Sequence, residues 1–232
     1  MSGSLLSSYA YIVLLSLSVC VRANLMVTQV SDAYYPVHNI NSGLNYMTIQ
    51  EAINAPETLD GHILSVNDGI YTECVNVNKA VSLIGENPET TIIDGGAAGG
   101  AVIKIVVDNV TVAGFTIRSS RHYESAPLGC GIAIAEVDCC NVSGNCITNN
   151  DYGLDIDSSL NNNVSGNNIT LNGRGVRLVS STNNVIIGNS IVVNGIGIWL
   201  TYCSSNNITE NDVIGNAKGS WLSSSSNNTV TR

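Results

Sequence analysis

Between Asn141 and Val230, apolar residues come in short alternating runs, and the runs repeat every 22 residues. Val142, Val164, Ile186, Ile208 and Val230 lie one period apart, and so do Ile134, Ile156, Leu178, Leu200 and Leu222. Three polar series share the period: Asn145, Asn167, Asn189, Asn211; Asn150, Asn172, Asn194, Asn216; and Gly131, Gly153, Gly175, Gly197, Gly219. Alternation of this kind suits strands, and no 3.6-residue pattern interrupts it. Asn and Gly tolerate the left-handed backbone that sharp turns need. Three short strands and three turns fill one period, so each repeat is one coil of a solenoid. Coils stack about 4.8 Å apart, which makes residues one period apart vertical neighbours and lets stacked Asn side chains hydrogen-bond. The predicted fold is all-β: a single-stranded right-handed parallel β-helix with a short N-terminal capping helix.

Along the chain, residues 1–23 read as a signal peptide. Tyr9 to Val21 supplies an apolar core of roughly a dozen residues, too short to span a membrane, and Val21-Arg22-Ala23 ends it with a small residue. An uncleaved N-terminal anchor is the alternative. Residues 24–61 form a leader without clear pattern up to residue 45, then a helix over Met47–Ala55. Thr48 is its N-cap, Glu51 completes a capping box, and Ile49, Ala52 and Ile53 line one face to cover the open end of the solenoid. Residues 62–232 are the β-helix. The last coil opens at Asn228 and stops, so the chain is expected either to be truncated relative to its relatives or to pack that uncapped edge on a partner or on itself, with self-association as one outcome.

Composition narrows the partners. Without Arg22 the chain keeps eight Lys and Arg against eighteen Asp and Glu, a net charge near −10. Such a surface disfavours nucleic acid and anionic lipid. Six cysteines follow the signal: Cys74, Cys130, Cys139, Cys140, Cys146 and Cys203. Cys146 and Cys203 occupy different columns, beyond disulfide reach; Cys130, Cys139 and Cys140 flank one coil and can pair locally or stay as buried thiols. Zinc spacing is missing, and no metal or other cofactor is expected.

The segments TIQEAI (48–53), VNDGIYTECV (66–75), SLIGENPETTIIDG (82–95) and VTVAGFTI (110–117) resemble the entry coils of the pectin-lyase-like superfamily. The downstream N-x-I-x-x-N-x-x-G repeats resemble NosD-type and surface-protein β-helix members. The resemblance implies the fold over nearly the whole mature chain, while function varies among the members. Pectin methylesterases of this fold use two Asp in motifs that are missing here. Polysaccharide lyases use an Arg base beside calcium-binding Asp, a chemistry that Asp155, Asp157, Arg174 and Arg177 on adjacent coils would imitate; solvated strand ends are the simpler reading. Ca²⁺ enters only under that alternative. NosD-type members are associated with copper loading of nitrous oxide reductase, yet His38, His62 and His122 lie far apart and Met is scarce.

Stacking exposes one candidate surface. One column reads Asp155, Arg177, Trp199, Trp221, and its neighbour Tyr152, Arg174, Ile196, Lys218. Flat rings flanked by polar groups are what a sugar chain stacks upon; alternatively, the two tryptophans stack on each other across coils. A second candidate is a loop. The step from Gly114 to Gly144 is longer than the regular period, and the extra length carries Arg121, His122, Tyr123 and Glu124. N-x-[ST] sequons occur at Asn109, Asn141, Asn163, Asn168, Asn207 and Asn227, several within the strand pattern itself. The leading expectation is a secreted or cell-surface, non-catalytic β-helix module that binds a polysaccharide or builds the cell envelope. A lyase or glycoside hydrolase acting on acidic glycans is second, and a copper-loading accessory protein third.

Overall fold

The computed structural model describes residues 34–97, 99–121 and 129–231; the expected signal peptide lies outside the described residues. The chain winds into a right-handed parallel β-solenoid of about 7 turns of roughly 22 residues. Each regular coil contributes one strand to each of three sheets, as in Asn141–Ser143, Cys146–Thr148 and Tyr152–Asp157. The first sheet has ten strands, the second and third seven each. Register follows the sequence period: Val142 pairs with Val164, Val164 with Ile186, and Ile186 with Ile208. The second and third sheets repeat this with Ile147–Ile169–Ile191 and Ile156–Leu178–Leu200. All of these side chains point inward and are buried. Fully burying one such side chain is worth about 1.5–3 kcal/mol, so the stacked columns are the principal source of cohesion.

A coil bends sharply at each of its three corners, and the turn leaves backbone groups inside with no strand partner. Inward Asn ladders serve them. Asn167 Nδ2 donates to Val142 O and to Asn189 Oδ1, both at 2.9 Å, while its Oδ1 accepts from Asn145 N at 3.0 Å. Asn150–Asn172–Asn194–Asn216 repeats the arrangement at the second corner. The third corner carries another ladder, Asn162–Asn184–Asn206–Asn228, which in sequence is masked by the turn residues around it. Beside the second ladder the backbones come close: a Cβ on Gly175 would stand 2.6 Å from Gly197 O.

The N-terminal end departs from expectation in one respect. Residues 24–45 carry no clear pattern in sequence, but Val37–Asn39 pairs antiparallel with both Asn45–Tyr46 and Ile63–Val66, extending the first sheet. So short a strand with one buried aliphatic gives little local signal; the distant partner strand decides its conformation. The helix runs Ile49–Asn54 with Thr48 as N-cap, and buries Ile49, Ala52 and Ile53. Glu51 reaches back to the N–H of Met47 at 3.1 Å, one residue before the N-cap. Glu73 accepts from the N–H of Ile49 and Gln50, both at 3.0 Å, satisfying two orphan donors of the first turn. Gln50 exchanges hydrogen bonds with the backbone of Asn76, so the helix closes the edge of the third sheet.

The irregular coil sits where its spacing indicates. Thr116 pairs with Cys146 across the lengthened step, whereas Cys130 pairs with Tyr152 at the regular period. The extra length therefore lies between Arg118 and Cys130, on the approach to the third sheet. Arg121 is exposed and bridges to Gly99. His122, Tyr123 and Glu124 lie outside the described residues. All six cysteines of the described chain are free, with Cys130, Cys140 and Cys203 buried.

Candidate functional site

The regular coils give the third sheet six-residue strands where the other two sheets have three-residue ones, so this sheet offers the widest outer face. Its register gives two neighbouring outer columns. One runs Lys104, Ala133, Asp155, Arg177, Trp199, Trp221. The other runs Cys130, Tyr152, Arg174, Ile196, Lys218. Every member expected in the candidate surface is brought together here. Lys104 joins them unforeseen, because the step from Lys104 to its partner Ala133 is longer than the regular period.

The side chains interleave along the solenoid axis. The Arg174 guanidinium lies 4.7 Å from the Tyr152 ring centre and 4.9 Å from that of Trp199. Arg177 stands beside it, 5.7 Å from Tyr152 and 5.6 Å from Trp199. Trp199 stacks on Trp221 with centroids 5.8 Å apart and planes 24° apart. Lys218 Nζ sits 4.3 Å from the Trp221 ring centre. Each cation–ring contact is worth about 0.5–2 kcal/mol, increasing with desolvation. The order along the axis is thus ring, cations, ring, ring.

This order changes how the face can recognise anything. Of the two arrangements the sequence pattern allows, ring faces on offer to a sugar or tryptophans stacked across coils, the second is found: rings one coil apart turn their faces toward each other and toward the arginines. What the ladder leaves toward solvent is ring edges, with Trp221 at its end exposed. Arg174 Nε, Arg177 Nε and Trp199 Nε1 are buried without hydrogen-bond partners among the described residues.

Charge is placed unevenly on the same face. Arg177 Nη1 pairs with Asp155 Oδ1 at 2.7 Å in a largely buried bridge. Burial pushes the Asp155 carboxyl above its ordinary range, with the Arg177 charge pulling the other way. Arg174 forms no ion pair among the described residues. Burial also drives the Cys130 thiol far upward, reinforced by the Asp155 charge, so this cysteine is an inert filler. Asp157 accepts from Ser158 Oγ at 2.9 Å and belongs to the next outer column. For the lyase alternative, this means that Arg177 is tied to Asp155 and Arg174 is clamped between rings. Neither arrangement suits a proton-abstracting base.

A search of curated proteins finds a "Cell surface glycoprotein" of Methanothermus fervidus, 34% identical over 113 residues. The match covers 49% of this chain, which spans only 17% of that relative's length. Among solved structures, ORF18 of Geobacillus virus E2 superposes with a TM-score of 0.60 at 17% identity, covering 76% of this chain and 40% of that one. A pectin methylesterase in complex with a hexasaccharide gives 0.42 at 11% identity, covering 72% and 68%. The likeness to the viral protein shows the fold alone.

The family model matching residues 34–232 is described as "Periplasmic copper-binding protein (NosD)". Copper favours clustered imidazole, thiolate and thioether donors. Among the described residues no three His, Cys, Asp or Glu lie close enough together to hold a metal ion. His38 Nδ1 is hydrogen-bonded to Asn45 Oδ1 at 2.7 Å and His62 Nδ1 to Asn39 Nδ2 at 3.1 Å. The described donor set therefore does not fit copper. On that match, which runs through every coil described above, the chain belongs to the NosD family.

Proposed function

We propose that this protein is a non-catalytic β-helix module of the cell surface that binds a saccharide or other oxygen-rich envelope component. The binding face is the outer surface of the third sheet, built from Tyr152, Asp155, Arg174, Arg177, Trp199 and Trp221. The observation that carries the reading is the concentration of donors there. A chain with net charge −9 places Lys104, Arg174, Arg177 and Lys218, four of its nine Lys and Arg, on one sheet face. Arg174 is held in place by two rings, so little rotamer entropy is lost when it takes up an acceptor. The surface location is supported by the name of the Methanothermus fervidus relative and by the periplasmic description of the family. No helix among the described residues is long and apolar enough to cross a membrane.

Binding through the cations and the exposed ring of this face gives a specific test. Trp221→Ala removes the exposed ring at the end of the ladder, and Arg174→Ala removes the cation held between two rings. Retention of the purified protein on arrays of immobilised neutral and acidic saccharides should fall at least tenfold in either variant. Retention equal to wild type in both, with melting curves unchanged, rules out this face. Release of unsaturated sugar from an acidic polysaccharide would instead establish the enzymatic alternative.

A further inference from the structure

Several sequons fall within the strand alternation, and the structure explains why. In Asn-x-Thr on a strand, the first and third residues face out while the middle one faces the core, as Val142, Val164, Ile169 and Ile208 do. A solenoid with Asn and Thr on its outer columns therefore writes the motif without any need for a sugar. Separating acceptors from accidents takes more than the motif.

Side-chain engagement separates them first. Asn163 Nδ2 donates to Asn141 Oδ1 at 2.9 Å and to Ser165 Oγ at 3.3 Å, and Asn141 Nδ2 donates to Ser143 Oγ at 3.3 Å. These two carboxamides tie adjacent coils together, and a glycan on either would break that tie. Asn109 and Asn227 sit in left-handed turns, with φ of 63° and 55°. Asn168 and Asn207 are exposed, lie on extended strands, and carry no side-chain hydrogen bond among the described residues.

The ground beside Asn168 then distinguishes it from Asn207. Asn168 lines a groove of about 330 Å³ along the corner between the first and second sheets, with Pro88, Thr116, Gly144, Cys146 and Gly166. The volume is that of a small-ligand cleft, at the lower end of the usual range of about 300–1,000 Å³. The groove is open because its corner is glycine: a Cβ built on Gly144 or Gly166 meets nothing within 4 Å. The flanking residues in the Asn168 column are small, Cys146 on one side and Ser190 on the other.

We infer that Asn168 is an N-glycosylation acceptor and that the innermost sugar of its glycan lies in this groove against Cys146. The donor is an oligosaccharide joined through phosphate or pyrophosphate to a polyprenol. Asn168 Nδ2 attacks the anomeric carbon, the carbon–oxygen bond to the phosphate breaks, and the polyprenyl phosphate or pyrophosphate leaves with the bonding electrons. The carboxamide gives up one proton to a base of the transferase, and Thr170 presents its hydroxyl on the same outer face. The modification needs only that the chain is exported and is independent of any ligand on the third sheet. None of the six sequons lies on a third-sheet strand, so the glycan leaves that face uncovered.

The test uses the full chain exported from a host with N-linked glycosylation, alongside a sequon reporter shown to be occupied in the same cells. Glycopeptide mass spectrometry should find Asn168 modified in wild type and in Thr170→Ser, and bare in Thr170→Ala. Cys146 is half-buried and free, so its alkylation provides the second readout. It should be labelled severalfold faster in Asn168→Gln than in the glycosylated protein, with melting curves showing both folded. A bare Asn168 beside an occupied reporter overturns the inference, as does occupancy of Asn207 without Asn168. Equal labelling of Cys146 in the two proteins overturns the placement of the sugar in the groove.

Discussion

Replacing Asn189 by alanine removes one rung from the middle of a buried ladder. Asn189 Nδ2 donates to Val164 O at 2.9 Å, to Ile187 O at 3.2 Å and to Asn211 Oδ1 at 2.9 Å. Its Oδ1 accepts from both the backbone N–H and Nδ2 of Asn167, each at 2.9 Å. Alanine leaves the Asn167 N–H and the Val164 carbonyl without these partners in an interior that water does not reach. Each orphaned buried group costs about 1–3 kcal/mol, so about 3 kcal/mol is expected after partial relaxation. Asn207→Ala, on the exposed outer column, should stay within about 0.5 kcal/mol of wild type. Urea titration followed by far-ultraviolet circular dichroism compares the midpoints. Because coils are stabilised by their nearest neighbours, amide exchange at Asn167 reports the local effect and should accelerate in the same variant. An Asn189→Ala midpoint and Asn167 exchange rate equal to wild type would refute the claim that these ladders hold the corners.

Three further outcomes follow from the geometry. Gly175→Ala forces a Cβ to 2.6 Å from Gly197 O and 2.8 Å from Ile191 Cγ2, and should cost about 1–3 kcal/mol by urea titration. Gly166→Ala meets no atom, and only its φ of +62° opposes it, for about 1–2 kcal/mol; it should be the milder of the two. Asp94 and Asp155 should show opposite pH trends. At Asp94, burial is outweighed by hydrogen bonds from Gly96 N–H, Arg118 and Ser119, and the carboxyl is held below its ordinary 3.8. Its stabilisation is present above that value and lost as pH falls through the folded one, so Asp94→Asn should gain on wild type in acid. At Asp155 burial raises the carboxyl, and its stabilisation is full below 3.8 and declines as pH rises through the folded value. Asp155→Asn should therefore gain on wild type as pH increases, and urea midpoints from about pH 3 to about pH 7 would show either trend reversed if the assignments are wrong.

The solenoid was readable in the sequence because identical residues stand in identical surroundings once per coil. Asn145 and Ile147 each find their own kind one period on, and again one period further. The same reasoning located the column from Asp155 to Trp221. It allowed stacking of Trp199 on Trp221 as one of two arrangements, but did not show the insertion of Arg174 and Arg177 between Tyr152 and Trp199, which depends on how the long side chains fill the space between coils. Nor did it reveal the strand at Val37–Asn39, whose partner Ile63–Val66 is distant in sequence. Lys104 escaped because the irregular coil shifts its register. The third Asn ladder has the same period, but Asn161 and Asn183 beside it adopt left-handed turns, so in sequence its members are not separable from turn residues.

Residues one coil apart lie in contact throughout the solenoid, and the two tryptophans report this in solution. Indoles 5.8 Å apart and 24° from parallel are within range of strong exciton coupling. The wild-type circular dichroism spectrum should show a couplet in the indole region that vanishes in both Trp199→Phe and Trp221→Phe. A wild-type spectrum equal to the sum of the two single-tryptophan variants would place the rings apart and contradict the stacked face.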